Sequence, residues 1–353
     1  MSETAQRAPA AAGEPSGGPV ARNDMLGRLR EAGARLVRQR EATVFVVVLL
    51  LIVYFGFIST AGRSTFFTRV DLVNLTQIAA PIIIIAIGEV LLLICGEIDL
   101  SPGFVYLFAP FLMHYLIDFY HVPAILAIVL SLVFGAAVGW INAFLTVNVG
   151  LPSFITTLGT GFILWGLTLT TCHDEQANIP GSTVTIGRYL GSDAWSEIIW
   201  AVVLVVIFHV VLTRTRWGLH TIAVGGNQLG AREAGVNVAR IKYGNFMITG
   251  VMGAFVGLQI AFQTSIIDPS AGQYLPMFYS VAAAVIGGTA MLGGSGTMIG
   301  AFLGAAMLAV LTDGFDVLGV SANPYNIILG GTILVAMVAN VQLTRLRGAG
   351  RAR

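Results

Sequence analysis

The chain has 353 residues, 56% of them hydrophobic and only 10% charged, and its mean hydropathy is +0.83. Soluble globular domains carry about 25% charged residues, so the composition excludes a water-soluble core and reads as an all-α polytopic membrane protein. The net charge of +1 leaves no basic surplus for a nucleic-acid partner; in membrane proteins the placement of charge is the informative quantity.

In chain order, residues 1–24 are rich in Ala, Gly, Pro and Ser without periodicity and read as a disordered tail. Residues 25–41 place Leu26, Leu29, Ala32, Leu36 and Val37 near helical spacing, with Arg28, Arg30, Arg35, Arg38 and Arg40 mostly elsewhere. That pattern predicts a basic amphipathic helix lying in the membrane interface. The following run is of span length and lacks a small-residue cleavage site, so a cleavable signal peptide is not expected. The transmembrane domain is read over 42–342, with apolar runs able to cross a ~30 Å hydrocarbon layer. They fall at 42–60, 74–96, 103–119, 123–147, 152–172, 196–213, 244–264, 278–292, 298–312 and 324–342. The eighth and ninth are short and glycine-rich and read either as two spans or as one broken hairpin. About ten transmembrane helices are expected, followed by a basic tail at 343–353.

Lys and Arg support this frame. With the N-terminus inside, inner segments hold seven (1–41), five (214–243) and four (343–353), sixteen of the nineteen; the outer loops hold Arg63, Arg69 and Arg188. The positive-inside rule then puts both termini in the cytoplasm. The outer loop 173–195 is polar, with a β-like "STVTIGRY" segment at 182–189. In the basic inner loop 214–243, Gly225 and Gly226 read as a turn, Asn227 as a helix N-cap and Gly235 as the stop of a short helix. This element reads as a docking helix for a soluble partner, against the plainer alternative of a solvated loop.

No catalytic constellation is evident. "GGSG" at 293–296 resembles the surroundings of an intramembrane serine nucleophile, but all five histidines precede Ser295, where that arrangement needs a later base. The histidines are scattered singly, so no metal site is expected, and no phosphate-binding G-x-x-x-x-G-K-[ST] loop occurs. Cys95 and Cys172 lie in or near apolar runs and read as packing residues. The polar groups inside spans are Glu89, Asn142, Gln259 and Gln263, each either functional or a helix–helix hydrogen bonder. "CGEIDLSPG" at 95–103 is the most unusual stretch, because a carboxylate at mid-bilayer costs roughly 2.5–3.5 kcal/mol on insertion scales. The span count puts Glu97 and Asp99 at the junction of the second and third spans, on the cytoplasmic side or at a helix break facing an aqueous cavity. Asp99 or Ser101 then caps the third span with Pro102 in its first turn, while Gly96 and Gly103 supply backbone freedom. Gly96–Leu100 and Gly288–Leu292 share a G-x-x-x-L spacing that reads as a possible internal repeat.

Four stretches together carry a family resemblance: "CGEIDLSPG" (95–103), "GLPSFITTLGT" (150–160), "AVGGNQLGAREAGVNVARIK" (223–242) and "VIGGTAMLGGSGTMIGAFLGA" (285–305). The chain resembles the membrane permease subunits of bacterial ribose- and xylose-type ABC importers, a group near the branched-chain amino-acid permeases, over roughly 42–345. The resemblance implies an ABC importer permease fold of about ten helices, with broken helices among them, in the bacterial cytoplasmic membrane. It further implies a second permease subunit (an identical copy or a related paralogue), a cytoplasmic ATPase that binds the ATP, and an extracytoplasmic sugar-binding protein. No cofactor of its own is implied. By the same resemblance 223–242 is the ATPase-coupling segment, on Asn227, Ala231, Arg232, Gly235, Val236 and Asn237. Gly96, Asp99, Ser101 and Gly103 match the signature; Glu97 stands where the family commonly has glycine, and Pro102 where it has a small or β-branched residue.

The expected function is a non-catalytic permease carrying a monosaccharide or polyol, with Asn142, Thr156, Thr157, Thr160, Gln259, Gln263 and Glu89 as pathway candidates. Uncharged, hydroxyl-rich solutes need dispersed, weak hydrogen bonders, since conduction requires leaving as well as entering. The alternative readings are a proton-coupled secondary transporter using Glu89, Glu97 or Asp99, and a channel.

Overall fold

The computed structural model describes residues 40–58, 66–270 and 275–319, with individual helical positions between 326 and 338. The tail at 1–24, all but the last two residues of the 25–41 helix, and the 343–353 tail lie outside the described residues. Helices α1 (Arg40–Val53, extended by a π-helical turn Tyr54–Ile58), α2 (Arg69–Ile94), α3 (Pro102–Asp118), α4 (Ala124–Phe144) and α5 (Ser153–Cys172) come first. Then follow β1 (Ala177–Asn178), α6 (Ser196–Arg214), α7 (Arg216–Gly226), α8 (Gln228–Glu233), α9 (Val238–Thr264), β2 (Ile266–Ile267), α10 (Leu275–Ile286) and α11 (Met298–Val317). Seven of the described helices are long and apolar enough to cross a membrane, so the chain is a multi-pass, all-α membrane protein.

Hydrophobicity all round a helix means burial all round it, and α2 is the case in point: every residue from Ala79 to Ile94 is buried. Against it pack α9, α10, α11 and α6, while α1, α4, α5 and α6 turn large apolar side chains such as Leu50, Ile125, Ile163 and Val206 outward. Close approach relies on small residues, as expected where lipid and side chain are equally apolar. A Cβ at Gly135 or Gly139 of α4 would collide with the Gly250 and Phe246 carbonyls of α9, and one at Gly253 or Gly257 of α9 with the Pro102 and Tyr106 backbone of α3. Ser280 donates to the Ile82 carbonyl (3.0 Å) and Asn74 to Asp313 (2.7 Å), fixing α10 and α11 on α2.

Several predicted boundaries shift. Thr68, whose hydroxyl accepts from the Asp71 amide, starts α2 five residues before the expected 74. Asn237 caps α9 and starts it at Val238 rather than 244. The eighth segment ends at Ile286, not 292: Gly288 takes φ +96°, its amide reaching the Val285 carbonyl and the Thr289 amide that of Ala284. The resulting α10 has 12 residues, about 18 Å, too short to cross the bilayer alone. It folds back on α11 with Gly287 against Gly300 and Ala283 against Gly304, a hairpin of unequal arms. The same hydrogen-bond stop ends α2, where Gly96 (φ +76°) bonds to Leu93 and Glu97 to Leu92; the two G-x-x-x-L segments therefore begin alike.

"STVTIGRY" is helical, not β. The turn at Gly181–Thr183 lies against α4, and those at Val184–Gly187 and Arg188–Ser192 against the end of α9, where Gly191 meets the Gln259 carbonyl and Ser192 donates to that of Phe262. The short ribbon forms instead between β1 and β2, Ala177 opposite Ile267.

The α4–α9 seam predicts an asymmetric response to added methyl groups. Gly139→Ala places its Cβ on the Phe246 carbonyl and 2.8 Å from the Met247 Cα; backbone cannot yield cheaply, so a loss of about 1–3 kcal/mol is expected. Gly159→Ala, on a helix face with nothing within 4 Å, should be neutral or slightly stabilising. Thermal unfolding of the detergent-solubilised variants checks the contrast.

Candidate functional site at the end of the central helix

Residues 95–101 leave α2 through a turn at Cys95–Gly96 and run back into the bundle without regular secondary structure. Along α9, the loop starts beside Asn245, which donates to the Leu91 carbonyl and Cys95 Sγ, and ends at Pro102 against Gly253. Those positions are eight residues apart, about 12 Å of helix, so α3 begins inside the bundle. Non-helical backbone at such depth needs protein partners for its amides. Ser153 Oγ accepts from the Ile98 amide (3.2 Å), Thr157 Oγ1 from Leu100 (3.0 Å) and Asp99 Oδ1 from Ser101 (2.8 Å). Asn142 Nδ2 donates to Ser101 Oγ at 2.8 Å, with Asp99 Oδ1 at 3.5 Å, and Thr160 donates to Asn142 Oδ1 at 2.7 Å. Asp99, Ser101, Asn142 and Thr157 are fully buried. Ser101 occupies the N-cap of α3 without a side-chain cap bond and Pro102 is its first residue; Asp99 accepts from the amide of Ser101 itself, a turn leading into the helix rather than the expected cap.

The segment 214–243 docks on this loop from below. Thr215 caps α7, Asn227 caps α8 by accepting from Gly230 (2.9 Å), and Gly235 (φ +81°) closes α8 with Val236 bonded back to Ala231. Gly225 and Gly226 end α7 rather than forming a free turn. Gly225 has no room for a side chain because the Ile94 carbonyl lies against it, and Ile94 also accepts from the Gly294 amide (2.8 Å). The α7 terminus therefore touches both glycine-stopped loops, 95–101 and 287–297. Ala231 is buried with Cys95, Val224, Val238 and Ile241, and Val236 packs on them; Leu229, Arg232, Glu233 and Asn237 are exposed.

Two residues stand out that sequence reasoning left without a role. Asn245, buried and unremarked in the sequence, accepts from Trp217 Nε1 (2.9 Å) while donating to α2, with Thr221 Oγ1 at 3.4 Å. It joins α7, α9 and α2; its only sequence signal was an amide near the start of an apolar run. Glu97 pairs with Lys242, Oε1 to Nζ 2.5 Å, the side chains 13% and 11% exposed. The partner lies 145 positions away on α9, which no local pattern reveals.

The pathway candidates divide. Asn142, Thr157 and Thr160 come together, holding the loop. Thr156 is buried with its hydroxyl unpartnered. Gln259 donates to the Leu190 carbonyl (2.9 Å), fixing the helical turns before α6, and Gln263 lies half-buried one turn on. Glu89 is fully buried beside Asp99, whose backbone amide approaches its carboxyl; among the described residues neither carboxyl oxygen makes a well-formed hydrogen bond, and Asp99 Oδ2 has no partner. Gly96 is the α2 stop, and Gly103 is buried in the first turn of α3.

Comparison with known proteins agrees with the resemblance read from the four motifs. A family model described as the branched-chain amino acid transport system / permease component matches residues 72–338. The xylose/arabinose import permease protein of Sulfolobus acidocaldarius is 35% identical over 321 residues, covering 88% of this chain and 87% of its own length. The ribose import permease protein of Escherichia coli is 29% identical over 303 residues (83% and 92%), and the fructose import permease protein of Rhizobium meliloti 28% over 312 (84% of each). No solved structure matches the chain significantly.

Breaking a largely buried ion pair strands a charge, whereas replacing both partners by neutral groups is often close to neutral. Glu97→Gln alone and Lys242→Met alone should each lower the unfolding temperature, and the double variant should recover most of the loss. A double-mutant cycle on thermal unfolding in detergent measures the coupling; silent single variants would show that the pair contributes nothing.

Proposed function

Because the chain belongs to the family of branched-chain amino acid transport system permease components, we propose that it is the membrane permease subunit of an ATP-driven, binding-protein-dependent importer. Its solute in this reading is a monosaccharide or related polyol, as the names of the xylose/arabinose, ribose and fructose relatives suggest. The observation that carries the proposal is the unbroken line of contacts from the exposed face of α8 to the buried loop 95–101. The line runs through Ala231, Gly225, Asn245 and the Glu97–Lys242 pair.

The 214–243 end then faces the cytoplasm, with both termini, and the 173–195 end faces outside, in about ten helices of the cytoplasmic membrane. Two such subunits, identical or paralogous, flank the pathway. ATP is bound and hydrolysed by a separate ATPase seated on α8, and a sugar-binding protein docks on the outer face; the chain itself needs no cofactor. Closure of the ATPases pushes on Leu229 and Arg232. Hydrogen bonds and the ion pair pass the displacement to 95–101 and 287–297, from which α3 and the α10–α11 hairpin start, so that access alternates between the two sides.

The buried carboxyl of Glu89 beside Asp99 favours the rival proton-coupled reading, and one assay separates them. In liposomes, uptake of labelled D-xylose, D-ribose or D-fructose should require ATPase, ATP and binding protein together; uptake driven by a proton gradient without them overturns the proposal. Within the complete complex, Arg232→Ala and Gly235→Val should leave ATP hydrolysis running while uptake falls about tenfold, a coupling loss of ordinary size. The Gly235 variant acts through its left-handed backbone, since a Cβ there meets nothing within 4 Å. Unchanged coupled uptake in both variants refutes the docking role of α8.

A further inference from the structure

A cavity of about 240 Å³ opens at the end of the bundle that carries the 173–195 segment, between α3, α9 and the β1–β2 ribbon. It descends along the face of α9 bearing Thr264, Ala261, Ile260 and Gly257, the spacing of one helix side. From Thr264 to Gly257 is two turns, about 10 Å. At the bottom, the absent side chain of Gly257 lets the Tyr106 backbone close on α9, and the Tyr106 side chain, 4% exposed, joins the wall. The opposite face of α9 carries Gln259, already committed to Leu190. The amides expected to line a pathway thus lie away from this cavity.

Its chemistry is selective. Leu107, Pro110 and Ile260 give an apolar wall suited to the C–H face of a ring. At the rim, Asp268 is held in place: its Oδ2 accepts from Gln176 Nε2 (3.0 Å), its Oδ1 from the Ser270 amide and hydroxyl (2.8 Å each). An ionised carboxylate offers about four acceptor positions, so Asp268 retains capacity for a hydroxyl donor, and Gln176 retains its carbonyl. No Lys, Arg or His is among the lining residues. A carboxylate or phosphate on the solute would meet Asp268 with no compensating cation, which disfavours sugar acids and sugar phosphates; an amino acid could set its ammonium on Asp268 but would leave its own carboxylate without a partner among the lining residues. The volume falls below the ~300–1,000 Å³ typical of drug-sized ligands and suits a single small ring.

We infer that this cavity is a way-station for one neutral, monosaccharide-sized polyol, with hydroxyls engaged by Asp268 and Gln176 at the rim and the ring on Leu107, Pro110 and Ile260. The inference rests on the sugar-import reading and adds the position and polarity of the solute. Few polar contacts make the hold weak, as a transit position requires.

The test uses the complete reconstituted transporter. Ile260→Cys places a thiol on the cavity wall, and its labelling by a small methanethiosulfonate reagent should be slowed by excess D-xylose, D-ribose or D-fructose and not by L-leucine or D-xylonate. Asp268→Asn should reduce sugar uptake about tenfold or more, the loss expected of a hydrogen bond to a charged group, and the cavity-filling Ile260→Trp should reduce it by occupying the ring's space, with the unfolding temperature retained in both. Labelling indifferent to all three sugars, or slowed instead by L-leucine or D-xylonate, overturns the cavity assignment even where wild-type sugar uptake stands. Wild-type liposomes that import none of the sugars overturn the import reading itself, and labelling protection then reports on the cavity independently.

Discussion

Seven residues of non-helical backbone, 95–101, run inside a bundle built for an apolar solvent, and their amides have to be paired there. Each unsatisfied group would cost several kcal/mol in hydrocarbon. Two hydroxyls one helical turn apart on α5 supply much of this pairing: Ser153 and Thr157 accept from the amides of Ile98 and Leu100. Asp99, between them, supplies the Ser101 amide and accepts from Asn142. The register of α5 and the position of α4 follow from satisfying one loop.

The loop can lie at that depth because α9 is built to be approached. Gly250, Gly253 and Gly257 let α4 and α3 come to backbone contact with α9. The α10–α11 turn solves the same problem differently: after an identical glycine stop, the Ala290 amide bonds to Ser295 and the Gly294 amide to Ile94. The two irregular segments meet at the C-terminal end of α2, where Gly225 fills the remaining space. A displacement of α7 there cannot be absorbed by one loop without reaching the other.

Apolar runs made the long helices among the described residues legible to within six residues at either end, because burial in lipid or in protein requires the same continuous hydrophobicity. The Gly235 stop and the Asn227 cap were legible for a similar reason: both act within four residues. What was not legible depends on pairing across the chain. Thr157 and Asn142 advertise hydrogen-bonding capacity, but only the fold reveals that the amide of Leu100 and the hydroxyl of Ser101 absorb it. Glu97 looked anomalous until Lys242 appeared beside it, and Asn245 drew no notice until three helices converged on it. "STVTIGRY" has strand-like composition, yet the two-stranded ribbon stops at Asn178 just before it; Gly187 and Gly191 let helical turns settle on α9 instead.

The division of polar groups between the two ends of the bundle bears on mechanism. Around 95–101 nearly every donor has an acceptor, and a saturated, buried network is stiff because each member fixes the direction of its neighbours. Stiffness is what transmission of a push requires, since apolar contacts slide where hydrogen bonds resist. Glu89, buried beside Asp99 without a well-formed hydrogen bond among the described residues, is the exception. The cavity at the other end offers few polar groups and one carboxylate among its lining residues, an arrangement that grips loosely. A transporter needs both properties, and they are stacked along α9: the loop runs from the level of Asn245 to that of Gly253 and the cavity begins at Gly257, one turn further on, so the rigid coupling parts do not also hold the solute.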